Sequence, residues 1–401
     1  MTSNSHPQQT AVRATYMRGG TSKGVFFTRA DLPATIRHDA AALDRFLLRA
    51  IGSPDPYGKH TDGMGGATSS TSKVVLVDRS ERADCDVDYL FGAVAIEDPV
   101  VDWSGNCGNL SAAVGPFAIA RGLVDAPANG VATVRIWQAN IGKRIVAHVP
   151  MRDGEVQETG DFELDGVTFP AAEIRLEFLD PGADEEGEGG AMFPTGRRID
   201  VLQVPGESPI TATLINAGNP TIFVDAQALG LTGCELQADV NGNAALLRRC
   251  ETIRAHATVA MGLAASAEEA TARRPHTPKL AFVAQPAGYT ASSGKPVAAG
   301  DIDLVARIFS MGKLHHAMTG TGAVAIAVAA AIPGTVVSRL FEQGARSPVR
   351  FGHPSGTLAV GAEAVEANGA WTVTKAIMSR SARRLMDGSV YVPLEIPAAK
   401  R

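Results

Sequence analysis

The chain has 401 residues, with 45% hydrophobic and 20% charged residues and a formal net charge of −5. That length exceeds what one hydrophobic core usually fills, so two domains are expected. The acidic balance and the lack of a basic tract interleaved with aromatics exclude nucleic acid as the main partner, and the longest apolar run, Ala323 to Ile332, is too short to span a bilayer.

The polar segment Met1 to Gln9 lacks the apolar core of a signal peptide and reads as a disordered extension, which leaves cytoplasmic residence as the default expectation. Strand-like patterns follow at Ala14 to Met17, Val25 to Thr28, Val74 to Asp78, Thr133 to Gln138, Arg144 to Val149 and Thr211 to Ile215. Others fall at Ile222 to Asp225, Leu280 to Ala284, Thr357 to Glu363 and Trp371 to Ser379. Helical patterns cover Ala40 to Ile51, Leu110 to Arg121, Ala244 to Met261, Ile302 to Ser310 and the Ala323 run. Strands cluster rather than alternate with helices, which predicts an α+β fold with mainly antiparallel sheet. The acidic, glycine-rich stretch Asp180 to Gly190 reads as a solvated loop, with the domain junction just beyond it.

Two segments look like one device used twice. Trp103-Ser104-Gly105-Asn106-Cys107-Gly108-Asn109 and His316-Ala317-Met318-Thr319-Gly320-Thr321-Gly322 are polar glycine turns, each running into a small-residue apolar stretch. Such a turn at a helix start presents unpaired N–H groups and a positive dipole end, so two of them facing each other would grip a polycarboxylate. The repetition goes further. Met17 to Phe27 resembles Ile215 to Val224, and Thr71-Ser72-Lys73-Val74 resembles Thr277-Pro278-Lys279-Leu280. Gly20 and Gly218, Lys73 and Lys279, and Cys107 and Thr319 stand 198, 206 and 212 residues apart, in the same order, which indicates a duplicated domain.

The turn Gly19-Gly20-Thr21-Ser22-Lys23-Gly24 is not a Walker loop, because Ser22 precedes Lys23, so it reads either as an anion cradle or as a plain hairpin turn. Lys73 ends a hydroxyl-rich run from Asp62 and opens an apolar strand. A lone lysine is ordinarily solvated; in this setting partial desolvation would instead lower its pKa toward that of a usable general base. The four cysteines show no C-x-x-C spacing, and neither a disulfide framework nor a zinc or iron–sulfur site is expected. Plain burial is expected for Cys85, Cys234 and Cys250; Cys107, at a helix start, has the position of a reactive thiol. A cysteine protease signature is absent, and Gly352-His353-Pro354-Ser355-Gly356 does not have nucleophile-elbow spacing.

The segments Met17 to Gly24, Asp62 to Gly66, Ser104 to Asn109, Met311 to His316, Phe351 to Thr357 and Ala376 to Arg383 together resemble the PrpF family, from about Val12 to Pro393. The resemblance implies a cis–trans isomerase of 2-methylaconitate in the methylcitrate route of propionate breakdown. It also implies a diaminopimelate-epimerase-like fold of two similar domains, each a β-barrel-like sheet around a central helix. Residues 1–195 would form the first domain, with Lys73 and Cys107, completed by a C-terminal strand within 380–401. Residues 196–379 would form the second, and the active site would lie in the cleft between them.

Epimerases of that superfamily set one cysteine at each helix start. Here Thr319 holds the second position and cannot act as a base near pH 7 without help. The family's catalytic lysine matches Lys73, with Cys107 nearby, so the expected chemistry is allylic proton transfer. Lys73 removes a proton beside the double bond, the C=C of the dienolate rotates, and Lys73 or Cys107 returns the proton. Gly19, Gly20, Thr21, Ser22, Lys23, Asn106, Gly108, Asn109, Met318, Thr319, Gly320 and Thr321 are the expected carboxylate binders. Lys279 and the Ser310-Met311 amide add to that grip. No cofactor or metal is required by this scheme. The partner expected is a small tricarboxylate, with a homodimer and functional pairing with a methylcitrate dehydratase as further associations. The rival readings are a sister 4-oxalomesaconate tautomerase or methylitaconate Δ-isomerase, or a non-catalytic accessory of a methylaconitate-forming dehydratase.

Overall fold

A computed structural model describes residues 8–182, 191–367 and 370–393. The N-terminal seven residues and most of the acidic loop read above therefore lie outside the described residues, as do 394–401.

In chain order the strands and helices that build the site begin with β1 (Gln9–Gly19), β2 (Ser22–Phe27), α1 (Ala40–Ile51), β3 (Lys73–Arg79) and β4 (Val87–Val94). Next come α2 (Ser111–Ala120), β5 (Gly130–Gln138), β6 (Lys143–Arg152), β7 (Ile174–Leu179), β8 (Asp200–Leu202), β9 (Ile210–Ala217) and β10 (Asn219–Asp225). The rest are α3 (Ala244–Ala260), β11 (Lys279–Ala284), β12 (Leu304–Ser310), α4 (Gly320–Ala331), β13 (Val349–His353), β14 (Gly356–Ala367), β15 (Ala370–Arg380) and β16 (Ala382–Pro393).

Pairing runs β16-β1-β2-β3-β4-β5-β6-β7, with the β2–β3 and β4–β5 ladders parallel and the others antiparallel. A second array, β8-β9-β10-β11-β12-β13-β14-β15, repeats that series of senses step for step, with β10–β11 and β12–β13 parallel. The β7–β15 ladder joins the two arrays. The last strand among the described residues, β16, closes onto the first, from Gln9 opposite Pro393 to Gly19 opposite Ala382.

One helix lies inside each array. Ser111 to Ala118 of α2 and every residue of α4 are buried, and both helices are apolar on all sides. Their alanine, glycine and valine side chains let strands approach from several directions. Helix α1 instead is amphipathic, capped by Asp39 accepting from the Ala42 N–H and stopped at Gly52 with φ +89°. No helix among the described residues is long and apolar enough to cross a membrane.

One expected helix is a strand. Ile302, Val305, Ala306 and Phe309 have helical spacing, yet Leu304–Ser310 pairs with β11 and β13. All seven residues of this strand are buried, so both faces are filled and the period-2 signal of a half-exposed strand is lost. Arg307 sits inside it, donating from Nε to the Glu235 carbonyl at 2.6 Å.

Candidate active site

The two glycine turns meet. The Cys107 carbonyl accepts the Ser111 N–H at 2.9 Å, and the Thr319 carbonyl accepts the Ala323 N–H at 2.9 Å. Both bonds span four residues, so Cys107 and Thr319 stand at equivalent points of their turns, although the regular helix starts directly after Thr319 in one case and only at Ser111 in the other. Their side chains part company there. Thr319 Oγ1 accepts the Gly322 N–H at 3.1 Å, an ordinary N-cap, whereas the Cys107 thiol makes no hydrogen bond among the described residues. The N–H groups of Gly108, Asn109, Gly320 and Thr321 likewise have no acceptor among them.

Gly108 and Gly320 bring the two helix ends into backbone contact. A Cβ on Gly108 would fall 2.7 Å from both the Gly320 carbonyl carbon and the Thr321 nitrogen, and one on Gly320 would overlap Gly108. Two positive dipole ends therefore converge on one small volume, which favours an anion. Gly320→Ala forces these helices apart and should destabilise the fold by about 1–3 kcal/mol, the usual range for overpacking. An unchanged thermal midpoint for that variant would contradict the contact.

The first hairpin turn seats against α2. A Cβ on Gly19 would lie 2.6 Å from the Asn109 carbonyl oxygen, and Gly20 has φ +50°. Asn109 itself is a strut rather than a free donor. Its Nδ2 donates to Thr21 Oγ1 at 3.0 Å and the Met318 carbonyl at 3.2 Å, and its Oδ1 accepts from Arg380 Nε at 3.0 Å. The Asn106 N–H, expected to face substrate, donates to Asn219 Oδ1 at 2.8 Å. The Asn106 side chain remains available, because its Nδ2 is buried with no acceptor in the structure.

Three cations surround these helix ends: Lys73, Lys279 and Arg380 are 4%, 1% and 1% exposed. None of them has an ion-pair partner among the described residues. Lys73 opens β3 with its Nζ 4.8 Å above the Phe91 ring centroid. Lys279 opens the equivalent strand β11, and its Nζ contacts His276 Nδ1 and Ser310 Oγ, each at 3.1 Å. Burial first, then the Lys73 charge, lowers Lys279 to about 7 against the opposing pull of Asp102 and Cys107. Burial and the two lysines hold His276 well below its ordinary value, so it is neutral, and its Nε2 donates to the Asn106 carbonyl at 3.3 Å. Burial lowers Arg380 to about 10, and Cys107 opposes the shift. Its Nη1 donates to the Ser379 carbonyl at 2.9 Å, while its Nη2 makes no hydrogen bond among the described residues.

A cleft of about 1570 Å³ is lined among others by Thr21, Ser22, Lys23, Met311, His315 and His316. Lys73, Cys107 and Lys279 are not among its lining residues, but His315 lines it and feels the charges of Lys73 and Lys279. His315 lies between cleft and cluster. Burial, then His316, Lys73 and Lys279 hold it well below its ordinary value, and its Nδ1 accepts the Ala317 N–H at 3.1 Å. The ring proton is thereby placed on Nε2, making His315 a neutral donor. Met311 sits at φ +52° in the two-residue turn with Gly312, pinned there because Ser310 and Lys313 pair across it. No group of three or more potential metal ligands occurs among the described residues.

The structure thus gathers Lys73, Cys107, Lys279, Ser310, Gly108, Gly320 and Thr321, and sets Thr21, Ser22, Lys23 and Met311 at the mouth. Arg380, His276, Phe91 and His315 are members that sequence reasoning did not single out. Arg380 and His315 fell within family-like segments, but a buried cation without a carboxylate is visible only in three dimensions.

The PrpF protein family model matches residues 9–393. A 2-methyl-aconitate isomerase of Shewanella oneidensis is 64% identical over 98% of this chain and 100% of its own length. Another, of Cupriavidus necator, is 63% identical over 97% and 98%. Among solved structures, a methylitaconate-delta-isomerase superposes with a TM-score of 0.74 at 39% identity, covering 98% of each chain. A probable proline racemase from Agrobacterium radiobacter, 15% identical, superposes with a TM-score of 0.53 over 96% of this chain and 93% of its own. That last likeness speaks for the fold alone, which is the diaminopimelate-epimerase-like one expected from the sequence. With a family match over nearly the whole chain and relatives at 63–64% identity, the chain belongs to the PrpF family.

Proposed function

We propose that this protein interconverts the cis and trans forms of 2-methylaconitate by allylic proton transfer, in the methylcitrate route of propionate breakdown. The observation that carries the reading is a set of buried basic groups without ion-pair partners among the described residues: Lys279 and Arg380, which with the two helix ends can face carboxylates, and Lys73, which is left to take the proton. Buried charge without a partner is costly, so such a site is completed by its ligand. The active site lies between the two eight-strand arrays, which we take as the two domains, with β16 completing the first.

In the mechanism, Arg380, Lys279 and the two helix ends fix the carboxylates. Lys73 accepts a proton from the methylene carbon beside the double bond, and the electron pair left behind spreads as a dienolate into the flanking carboxylates. The former C=C gains single-bond character and rotates. The proton then returns to the methylene carbon from Lys73, or from the Cys107 thiol, which stands free at the helix end. Neutral His315 donates from Nε2 to developing negative charge, and a neutral imidazole does so without adding a fourth buried cation.

Two measurements test this. Purified protein mixed with 2-methyl-cis-aconitate in deuterated water should give the trans isomer with deuterium at the methylene carbon; a stable spectrum would sink the proposal. Binding should also take up a proton. Free Lys279 titrates at about 7, and a bound carboxylate favours its charged form, so at pH 8 the complex should be more protonated than its parts. Calorimetry of trans-aconitate binding in two buffers of different ionisation enthalpy reads this directly, and equal apparent enthalpies would refute it.

A further inference from the structure

Lys73 and Lys279 hold equivalent places in the duplication, each opening the strand that runs parallel to the second strand of its hairpin, yet their surroundings differ. Three residues before Lys279 stands His276, and three before Lys73 stands Ser70. Lys73 Nζ has no hydrogen-bond partner among the described residues, only the Phe91 ring beneath it. The His276 imidazole is buried and fixed from the first half of the molecule. Its ring packs on Phe91 with centroids 5.3 Å apart, its N–H donates to Asp102 Oδ2 at 2.7 Å, and its Nε2 meets the Asn106 carbonyl at 3.3 Å. A carbonyl only accepts, so the proton of the neutral ring is on Nε2 and Nδ1 is an acceptor. Lys279 Nζ, 3.1 Å away, donates to that Nδ1, and a second bond of the same length to Ser310 Oγ fixes its place.

We propose that His276 is a positioning residue for substrate binding: through its Nδ1 acceptor it holds the Lys279 ammonium as the anchor of one carboxylate, while Lys73, with no such acceptor, is left to take the proton. The inference rests on the isomerase reading above. An ammonium carries three hydrogens, and His276 and Ser310 take two of them, which leaves one for a ligand. An acceptor beside a charged donor favours the charged form, as does a bound carboxylate. The other charged and titratable groups acting on this pair are Lys73 from β3, Asp102 and Cys107 before α2, Arg254 from α3, Arg274 beside His276, and His315 before α4. Asp102 and Cys107 favour the Lys279 ammonium, whereas burial, Lys73 and Arg254 oppose it. Loss of the imidazole acceptor tips that balance toward the neutral amine, and a neutral amine anchors a carboxylate poorly. The division of labour between two equivalent lysines thus comes from what stands three residues before each.

The experiment measures trans-aconitate binding by calorimetry across the neutral and mildly alkaline range, in the native protein and two variants. His276→Asn places an amide oxygen where Nδ1 stood and so keeps an acceptor for Lys279. His276→Gln places its amide where Nε2 stood, which keeps the contact with Asn106 but not the one with Lys279. Native binding should weaken as pH rises past about 7, where free Lys279 loses its proton. In His276→Gln the weakening should begin about one pH unit lower, the size expected for a hydrogen bond to a charged group, so binding at pH 8 should be about tenfold weaker. The His276→Asn profile should stay close to the native one. With 2-methyl-cis-aconitate the same order should appear in KM, with kcat within about threefold of native because Lys73 is untouched. A His276→Gln profile that coincides with the native one overturns the proposal, even where the thermal midpoint falls, and so do Asn and Gln variants whose profiles shift alike. Failure of the isomerase reading looks different: native protein would bind trans-aconitate yet leave 2-methyl-cis-aconitate unchanged in deuterated water.

Discussion

Replacing Lys73 with alanine should lower kcat by about 10²–10⁴-fold, the usual contribution of a positioned general base. Ligand binding should weaken but persist, because Lys279, Arg380 and both helix ends remain. Thermal stabilisation by trans-aconitate is the measurement, and it should be smaller than in the native protein yet clearly present. The arginine variant sharpens the point. Lys73→Arg restores a cation above Phe91 but holds its proton at all accessible pH, so KM should recover while kcat stays low. A Lys73→Arg enzyme with near-native kcat would show that charge alone is needed there. Removing the Lys73 charge also relieves the second-largest of the influences that lower Lys279. In Lys73→Ala the Lys279 titration should therefore move upward, and the proton uptake on binding at pH 8 should shrink.

Much of this site was legible in the sequence because the duplication is legible. The 212-residue spacing of Cys107 and Thr319 corresponds to equivalent hydrogen bonds spanning four residues, and Lys73 and Lys279 open equivalent strands. Glycine carries strong local signals: Gly108 and Gly320 are small because two backbones touch, and that need is written in the residue type. Other features had no local signature. The strand Leu304–Ser310 is buried on both faces, so its apolar pattern fits a buried helix equally well. Strands β4 and β13 escaped for related reasons, whereas β7 alternates and was legible but not read. Among them, β4 ends in the buried run Phe91-Gly-Ala-Val94 with no alternation, and β13 has only five residues. The Asn109 side chain is spent inside the protein, on Thr21, Met318 and Arg380, and only its backbone N–H stays without an acceptor among the described residues. What a polar side chain faces depends on contacts hundreds of residues away, as with Asn109 and Arg380, and no window of sequence reports that.

Arg380 is where the site should read the number of carboxylates. Its Nε is tied to Asn109 Oδ1 and its Nη1 to the Ser379 carbonyl, which fixes the guanidinium plane and leaves Nη2 uncommitted beside the α2 terminus. Truncating one partner of a buried, hydrogen-bonded charge pair costs about 2–5 kcal/mol, so Arg380→Met should weaken tricarboxylate binding by about 30-fold or more. The discriminating measurement is a pair of competitive inhibitors, tricarballylate with three carboxylates and glutarate with two. The native protein should prefer tricarballylate strongly. In Arg380→Met that preference should collapse, because glutarate can occupy the Lys279 and helix-end positions and loses little. A purely structural arginine, bracing Asn109 alone, would weaken both inhibitors alike. Arg380→Lys separates the two roles further: a lysine supplies the charge without the planar fork, so it should recover part of the preference for tricarballylate but not the native stability, since Asn109 Oδ1 loses its fixed donor. If the preference survives in Arg380→Met, the third carboxylate is held elsewhere, and the unpartnered Asn106 Nδ2 is the group to which the search would turn.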